Sequence, residues 1–441
     1  MKTKYQVNGF ILFFFFFGLS SVVNAQFWKK IAETAEKAVE RTVLNKTDEK
    51  VSNKTSKTID DATDVEYKKS KKSKNKAVIS SGNDEYEDID AETTFEVYSK
   101  FDFVPGERII AFEDFSQDAI GDLPARWNSS GSAEVVTIKN AEGRYIQVTT
   151  GKGSYVPEFI TEFPDNFTLE FDMVFDFDVS KYAFKRYFSV VFSDLANPAY
   201  ELQNSTPGKN GFVFSVRGGI GGGGAADIRK YSQDKQLNLF SDKKMGKLTK
   251  DNRGRGKVMH ISIWKQNQRM RVYIDEEKVF DIPRAFEKNV TLKNLKFFSE
   301  ISPQDTFFYL GNMRYAIGEP DLRNKLISEG TLITYGITFD TGKATVKSTS
   351  YSTIKNIANI LSENPAVNIL ITGHTDTDGD ASSNQKLSEE RAVAVKNIMV
   401  ETFGINKSRI KTSGKGEESP VAVGNKPEAK AKNRRVEFKK L

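Results

Sequence analysis

The sequence contains no cysteine and only two histidines among its 441 residues. The absence of cysteine excludes disulfides, thiolate metal sites, cysteine nucleophiles and a lipid on an N-terminal cysteine. With His260 and His374 alone, any Ser-His-Asp scheme has two candidate bases. Neither charge sign dominates, because 65 Lys and Arg residues face 59 Asp and Glu residues, and the net charge of +6 does not by itself indicate nucleic acid. Beyond residue 25, no apolar run is long enough to span a bilayer as a helix.

Residues 1–25 have the three-part order of a secretory signal. Lys2 and Lys4 precede the apolar run 10–19, and small residues suited to cleavage follow at 23–25. An uncleaved anchor is the weaker interpretation, because the apolar run falls short of the ~20 residues that a spanning helix needs. We therefore expect export with cleavage after Ala25.

Residues 26–100 are predicted to form a short amphipathic helix and a charged, flexible linker. Trp28, Ile31 and Ala35 fall at three- and four-residue steps, so the helix either contacts a membrane surface or partner helix, or merely leads into the linker. Six lysines in 68–76 and six acidic residues in 84–92 then form blocks that stay solvated.

Residues 101–320 are predicted to form an antiparallel β-sandwich. The stretch 167–177 alternates large apolar residues with acidic ones, and further short runs of this kind are separated by turn signals. The competing architecture is an outer-membrane barrel, which needs strands of ~10 residues with a lipid-facing apolar side. Shorter runs and interrupting charges such as Lys185 and Arg229 favour the sandwich.

A hairpin pattern at 270–280 resembles concanavalin-like and laminin-G-like jelly rolls. Some jelly-roll glycosidases carry E-x-D-x-x-E or E-x-D-x-E, because an acid and a nucleophile must flank one glycosidic bond. Here Glu170 and Asp172 lack the third carboxylate, since Val174 and Phe175 occupy those positions. We interpret Glu170 and Asp172 as polar residues on the solvent side of a half-buried strand. A glycan hydrolase with its active site in the sandwich is the alternative.

Two further patterns imitate ligand sites. The glycine run 219–224 satisfies G-x-G-x-x-G, but no apolar helix face follows it and no P-loop Lys-Ser or Lys-Thr is present. Asp376, Asp378 and Asp380 imitate the start of a calcium loop, whose twelfth position is here Leu387 instead of Glu. We expect neither a cofactor nor a metal.

The stretch 369–391 reads as an apolar strand, a polar turn and the start of a helix. Asp376 then lies at the mouth of the strand, and Arg391 lies in the following helix. A carboxylate and a guanidinium brought together in such a crevice can hold a zwitterion, one end each. This is a binding chemistry, without a nucleophile or a general base.

Three motifs occur in order: GHTD at 373–376, N-x-x-L-S-x-x-R-A at 384–392, and N-R-R-V at 433–436. They resemble the OmpA-like peptidoglycan-binding family, over about residues 327–441. The resemblance implies an α+β fold, a mixed sheet with helices packed on one face. It also implies that Asp376 and Arg391 hold the diaminopimelate of the wall stem peptide, with support from Thr375, Asn384 and Arg434.

We therefore expect a multidomain, non-catalytic envelope protein in the periplasm or on the periplasmic side of the outer membrane. Peptidoglycan is its partner through residues 327–441, and the sandwich 101–320 displays a surface for an envelope glycan or protein. The alternatives are a wall-targeted glycan hydrolase and a purely structural adaptor. The ligand of the sandwich, the oligomeric state and any peripheral contact with the outer membrane stay open, and nucleic acid is not expected.

Overall fold

The computed structural model describes residues 101–148, 151–177, 185–196, 202, 206–217, 224–244, 255–302, 306–319 and 321–441. The expected signal (1–25) and the expected helix and linker (26–100) lie outside the described residues. Most of the glycine run 219–224 lies outside them too. Strands and helices are numbered below in chain order.

The described β-rich region consists of two antiparallel sheets. The strands of the first are β1 (Arg108–Glu113), β3 (Ala133–Val136), β4 (Tyr145–Val148), β6 (Asn166–Asp176), β11 (Met259–Gln266), β12 (Arg269–Ile274), β13 (Glu277–Ile282) and β15 (Phe307–Ile317). Their order is β13-β12-β11-β6-β15-β4-β3, and β1 pairs with the C-terminal half of β15. The strands of the second are β2 (Trp127–Ser129), β5 (Gly151–Pro157), β7 (Lys185–Ser193), β8 (Gly211–Arg217), β9 (Ala225–Ser232), β10 (Lys235–Lys244) and β14 (Asn294–Ser302), in the order β10-β9-β8-β7-β14-β5-β2.

The apolar faces of the two sheets enclose one continuous core. Phe171 of β6 meets Phe297 of β14 with ring centroids 5.4 Å apart, and Phe188 of β7 meets Phe308 of β15 at 5.5 Å. Such aromatic pairs combine a large buried apolar area with an edge or tilted geometry that rings prefer. The predicted sandwich is confirmed, and the alternating aromatic residues are its inward-facing positions.

The C-terminal region forms a mixed sheet with helices packed against it. Its described strands are β16 (Thr331–Thr334), β17 (Ile369–Gly373), β18 (Ile410–Gly414) and β19 (Val436–Lys440), in the order β16-β19-β17-β18, with β17 and β18 parallel. The α-helices are α1 (Tyr351–Glu363), α2 (Ala381–Glu401) and α3 (Pro427–Asn433). A π-helical turn covers Asn324–Ser328, and 3-10 turns cover Ser348–Ser350 and Lys407–Arg409. The predicted α+β architecture is confirmed.

Two boundaries differ from the sequence pattern. Alternation from Leu332 predicts a strand as far as Phe339, but β16 ends at Thr334, whose Oγ1 accepts a hydrogen bond from Gly336 N at 3.1 Å. Helical spacing predicts a helix from Val346, but α1 begins only at Tyr351, because a 3-10 turn precedes it. In both places a local turn sets the boundary of the regular element. The spacing of apolar residues does not predict such turns. No helix within the described ranges has the length and hydropathy to cross a bilayer.

The sandwich packs directly onto the C-terminal region. Phe101, Phe103, Trp264 and Tyr273 belong to the same buried cluster as the apolar side chains of α1, β17 and α2. Phe103 meets Trp264 edge-on with centroids 6.0 Å apart, and Phe101 meets Tyr273 at 5.4 Å. Part of the outer face of the first sheet is therefore an internal surface, covered by the C-terminal region.

This covering corrects our interpretation of Glu170 and Asp172. We expected both on the solvent side of their strand, but Glu170 is only 4% exposed and the side chain of Asp172 only 13%. Alternation along β6 was correct, yet both faces of the strand are buried. The alternation of apolar and polar residues in β6 does not show that a distant part of the chain covers its outer face.

Candidate functional site

Asp376 lies just beyond the end of β17, on the loop that leads into α2. Asp380 caps this helix, since its Oδ2 accepts a hydrogen bond from Ser383 N at 2.9 Å. Asn384 fixes the loop from the first turn of α2. Its Nδ2 donates to the carbonyl of Asp378 at 3.0 Å and to Glu417 Oε2 at 2.7 Å. Through these hydrogen bonds, Asn384 holds the loop that carries Asp376.

Two glycines bring α2 close to the sheet. A Cβ on Gly373 would lie 2.2 Å from the carbonyl oxygen of Ser388, and a Cβ on Gly414 would lie 2.4 Å from Glu389 N. Neither approach is compatible with a side chain, so both positions require glycine. The close contact sets the distance between the mouth of β17, where Asp376 lies, and the middle of α2, where Arg391 lies.

Asp376 is paired with Arg434 in the ligand-free protein. Arg434 Nη1 lies 2.5 Å from Asp376 Oδ2, and Asp376 Oδ1 accepts a hydrogen bond from Asp378 N at 3.2 Å. The side chain of Asp376 is 11% exposed and that of Arg434 is 37% exposed, so the pair is open at its edge. The Arg434 guanidinium also lies over the ring of Phe112, 5.2 Å from its centroid.

Arg391 lies beside this pair without a carboxylate of its own. Its Nε donates to the carbonyl of Lys343 at 3.0 Å, and its guanidinium lies over the ring of Phe339, 4.8 Å from the centroid. Its Nη2 lies 3.5 Å from the carbonyl oxygen of Asp340, and within the described residues Arg391 forms no ion pair with an acidic side chain. Burial lowers the pKa of Arg391, the nearby Asp376 carboxylate raises it, and Arg434 lowers it. Arg391 therefore lies within electrostatic range of Asp376 and Arg434, and its hydrogen bonds go to backbone carbonyls.

Thr375 and His374 complete the strand end. The backbone N of Thr375 donates to the carbonyl of Gly416 at 2.9 Å, while its buried Oγ1 has no hydrogen-bond partner in the described part of the chain. His374 is buried, and its Nε2 lies 3.5 Å from Glu437 Oε1. The contact with His374, together with Arg435, lowers the pKa of Glu437 to about 2. His374 thus anchors β17 to β19, while Thr375 offers an unused hydroxyl at the site.

The three carboxylates that imitate a calcium loop have separate partners. Asp376 binds Arg434, Asp378 binds Lys430 Nζ at 2.6 Å, and Asp380 caps α2. Across the described residues, no group of three His, Asp or Glu side chains is arranged to hold a metal ion. The charged groups of the site are therefore one carboxylate, that of Asp376, and two guanidiniums, those of Arg391 and Arg434.

Glu170 and Asp172, which we considered as glycosidase-type carboxylates, form a charge network under the C-terminal region. Arg314 binds Glu170 through Nε at 2.9 Å and Nη2 at 2.6 Å, and His260 Nδ1 lies 2.7 Å from Asp172 Oδ1. Despite burial, these partners lower the pKa of Glu170 to about 2, and the two carboxylates raise the pKa of His260 to about 10. Neither carboxylate is held in the protonated form that a general acid needs.

The described segment that follows the glycine run does not have the structure of a dinucleotide site. The chain continues from it into strand β9, which pairs antiparallel with β8. A dinucleotide site requires a helix at that position, followed by a crossover to a parallel strand.

The sequence has relatives among known proteins. Residues 338–434 match the sequence model of the OmpA family. The chain is 40% identical over 111 residues to outer membrane porin F of Pseudomonas aeruginosa, covering 25% of this chain and 32% of that protein. It is 34% identical over 133 residues to the probable lipoprotein YiaD of Escherichia coli, covering 28% of this chain and 60% of that protein.

Among solved structures, the peptidoglycan-associated lipoprotein from Burkholderia pseudomallei is 26% identical with a TM-score of 0.24. The match covers 27% of this chain and 98% of that one. The chain thus spans between about a third and three fifths of the two sequence relatives.

Proposed function

We propose, from the premise that residues 338–434 form an OmpA family domain, that the chain is a non-catalytic envelope protein that anchors to peptidoglycan. The ligand is the diaminopimelate of the stem peptide, and its place is the mouth of β17. The protein acts on the periplasmic side of the envelope. The observation that carries this proposal is the juxtaposition of the Asp376 carboxylate with the Arg391 guanidinium, which no acidic side chain in the described residues neutralises.

The chemistry of diaminopimelate suits this pair. The free end of its side chain carries an ammonium and a carboxylate on one carbon, so a site of one charge sign recognises only half of it. Asp376 accepts hydrogen bonds from the ammonium, and Arg391 donates to the carboxylate in forked geometry. Thr375 supports the site from the backbone, because its N donates to the carbonyl of Gly416 and fixes the strand end next to Asp376.

Arg434 balances the charge of Asp376 through their 2.5 Å contact. The guanidinium is more than a third exposed, so it can donate to the ligand's backbone from its position beside the carboxylate. The proposal therefore gives Arg434 a supporting role and keeps Asp376 and Arg391 as the recognition pair.

Co-sedimentation with purified diaminopimelate-type peptidoglycan tests the proposal. The full chain should pellet with the wall, and Asp376→Ala and Arg391→Ala should each weaken binding about ten- to a hundredfold. Glu390→Ala and Lys386→Ala remove one charge of each sign from the exposed face of the same helix and serve as matched controls. If both site variants pelleted as the wild type does, the proposed recognition pair would be wrong.

The sandwich is proposed as a binding and supporting module with no hydrolytic role. Glu170 and Asp172 support this, because both are occupied by Arg314 and His260. An open hollow elsewhere on the sandwich is lined by Asn140, Tyr309 and the Arg255–Asp176 pair, whose Nε and Oδ1 lie 2.8 Å apart. That hollow presents no pair of free carboxylates, which the hydrolase alternative would require.

A further inference from the structure

Two of the cations near the site, Lys430 and Arg434, belong to α3 and its C-cap, and this helix is too short to be stable without packing. Lys430 of α3 binds Asp378 at 2.6 Å, and Arg434, at the C-cap of α3, binds Asp376 at 2.5 Å. The helix has seven residues, and helices shorter than about 12 residues are marginal unless packing stabilises them. The position of Arg434 therefore depends on what α3 packs against.

The sandwich contacts α3 along its whole length. At the N-terminal end, Arg126 binds Glu428 at 2.6 Å. In the middle, Ala431 is buried against Ile109 and Ala316. At the C-terminal end, Phe112 of β1 places its ring 5.2 Å from the Arg434 guanidinium. One strand edge of the sandwich thus forms a wall of the site.

We propose that the sandwich contributes to the wall-binding site, and that its Phe112 is a positioning residue that keeps the Arg434 guanidinium beside Asp376. The inference rests on the proposed function and adds a residue from outside the matched family region. The ring attracts the guanidinium through its π-face and holds it as a pre-ordered cation. A ligand then meets a fixed guanidinium instead of one that must be ordered on binding.

Substitution of Phe112 in the full chain tests this inference, with binding to diaminopimelate-type sacculi measured by co-sedimentation. Phe112→Leu keeps an apolar side chain but removes the π-face, so we expect binding about two- to tenfold weaker. Phe112→Tyr keeps the ring and should bind as the wild type does. Phe307→Leu is the matched control, because Phe307 is a half-buried aromatic residue of the same sheet that contacts Tyr309.

A double-mutant cycle separates positioning from a general structural effect. If Phe112 acts through Arg434, Phe112→Leu should change nothing further in an Arg434→Ala background. An equal loss in both backgrounds would overturn the inference, as would undiminished binding of the single Phe112→Leu variant. Both of those results leave the proposed function intact. Failure of the wild-type chain to bind the wall would instead overturn the proposed function, and this inference with it.

Discussion

Arg314 joins the sandwich to the C-terminal region through Glu170. Its Nε and Nη2 lie 2.9 Å and 2.6 Å from the two oxygens of Glu170, and its Nη1 donates to the carbonyl of Tyr335 at 2.6 Å. Both charged side chains are buried, 13% and 6% exposed. One guanidinium thus satisfies a carboxylate of the sandwich and a backbone group of the C-terminal region at the same time.

Arg314→Met should therefore lower the free energy of unfolding strongly. Removing one partner of a buried ion pair typically costs about 3–5 kcal/mol, and His260, 3.5 Å from Glu170, compensates only part of the remaining charge. The change is measured by urea denaturation of the full chain. Arg323→Met makes the same substitution in a pair with Glu363 whose side chains are 57% and 58% exposed, and it should cost at most about 1 kcal/mol. Equal costs for the two variants would contradict the interpretation of Arg314.

Glu113 gives the fold a predictable dependence on pH. Burial raises the pKa of Glu113 to about 7, against 4.5 for an ordinary Glu, although its Oε1 accepts a hydrogen bond from Phe115 N at 3.0 Å. The folded protein therefore holds this proton more tightly than the unfolded chain does. Its contribution to stability is complete below pH 4.5 and is lost as pH rises through 7.

Glu113→Gln removes this pH-dependent loss of stability, because glutamine does not ionise. We expect the variant to be more stable than the wild type by about 1–3 kcal/mol at pH 8, and the difference to shrink toward acid pH. Thermal unfolding at several pH values measures it, with Glu142→Gln as an exposed control for the same substitution. A stability difference that does not vary with pH would contradict the raised pKa, because it would mean that Glu113 binds its proton equally in the folded and the unfolded chain.

The sandwich should not cleave glycans. Its candidate carboxylates are bonded to Arg314 and His260 and face the C-terminal region, so a sugar chain has no access to both. The full chain should release no reducing ends from peptidoglycan or from a panel of envelope glycans. Activity that disappeared in Glu170→Gln would revive the hydrolase alternative.

Much of the C-terminal region followed from the sequence. Asp376 lies at the predicted strand mouth, and Arg391 lies in the predicted helix. Local signals carry this information, because alternation, a polar turn and helical spacing are all contained within 369–403. The motif match also included Arg434, although not its bond to Asp376, which joins residues 58 positions apart.

The relation between the two regions did not follow from the sequence. Alternation in β6 correctly placed Phe171 on the inner face of the sheet and Glu170 on the outer face. At Glu170, however, the outer face is covered by the C-terminal region and not by solvent. Phe112 likewise gave no signal, since an aromatic residue at a strand end is compatible with many environments. Only the docking of α3 on β1 makes its ring part of the site. Contacts between distant layers are not encoded in the periodicity of either layer.

The central claim is that the site recognises the ammonium and the carboxylate at the free end of diaminopimelate together. A stem peptide with lysine in place of diaminopimelate keeps that ammonium and lacks that carboxylate. Isothermal titration of the full chain with the two tripeptides therefore isolates the contribution of Arg391. Lys386→Ala, at an exposed position of the same helix, is the control.

We predict that the wild type and Lys386→Ala bind the diaminopimelate peptide about ten- to a hundredfold more tightly than the lysine peptide. Arg391→Ala should bind both peptides with the same weak affinity. Equal affinity of the wild type for the two peptides, or discrimination retained in Arg391→Ala, would contradict the account.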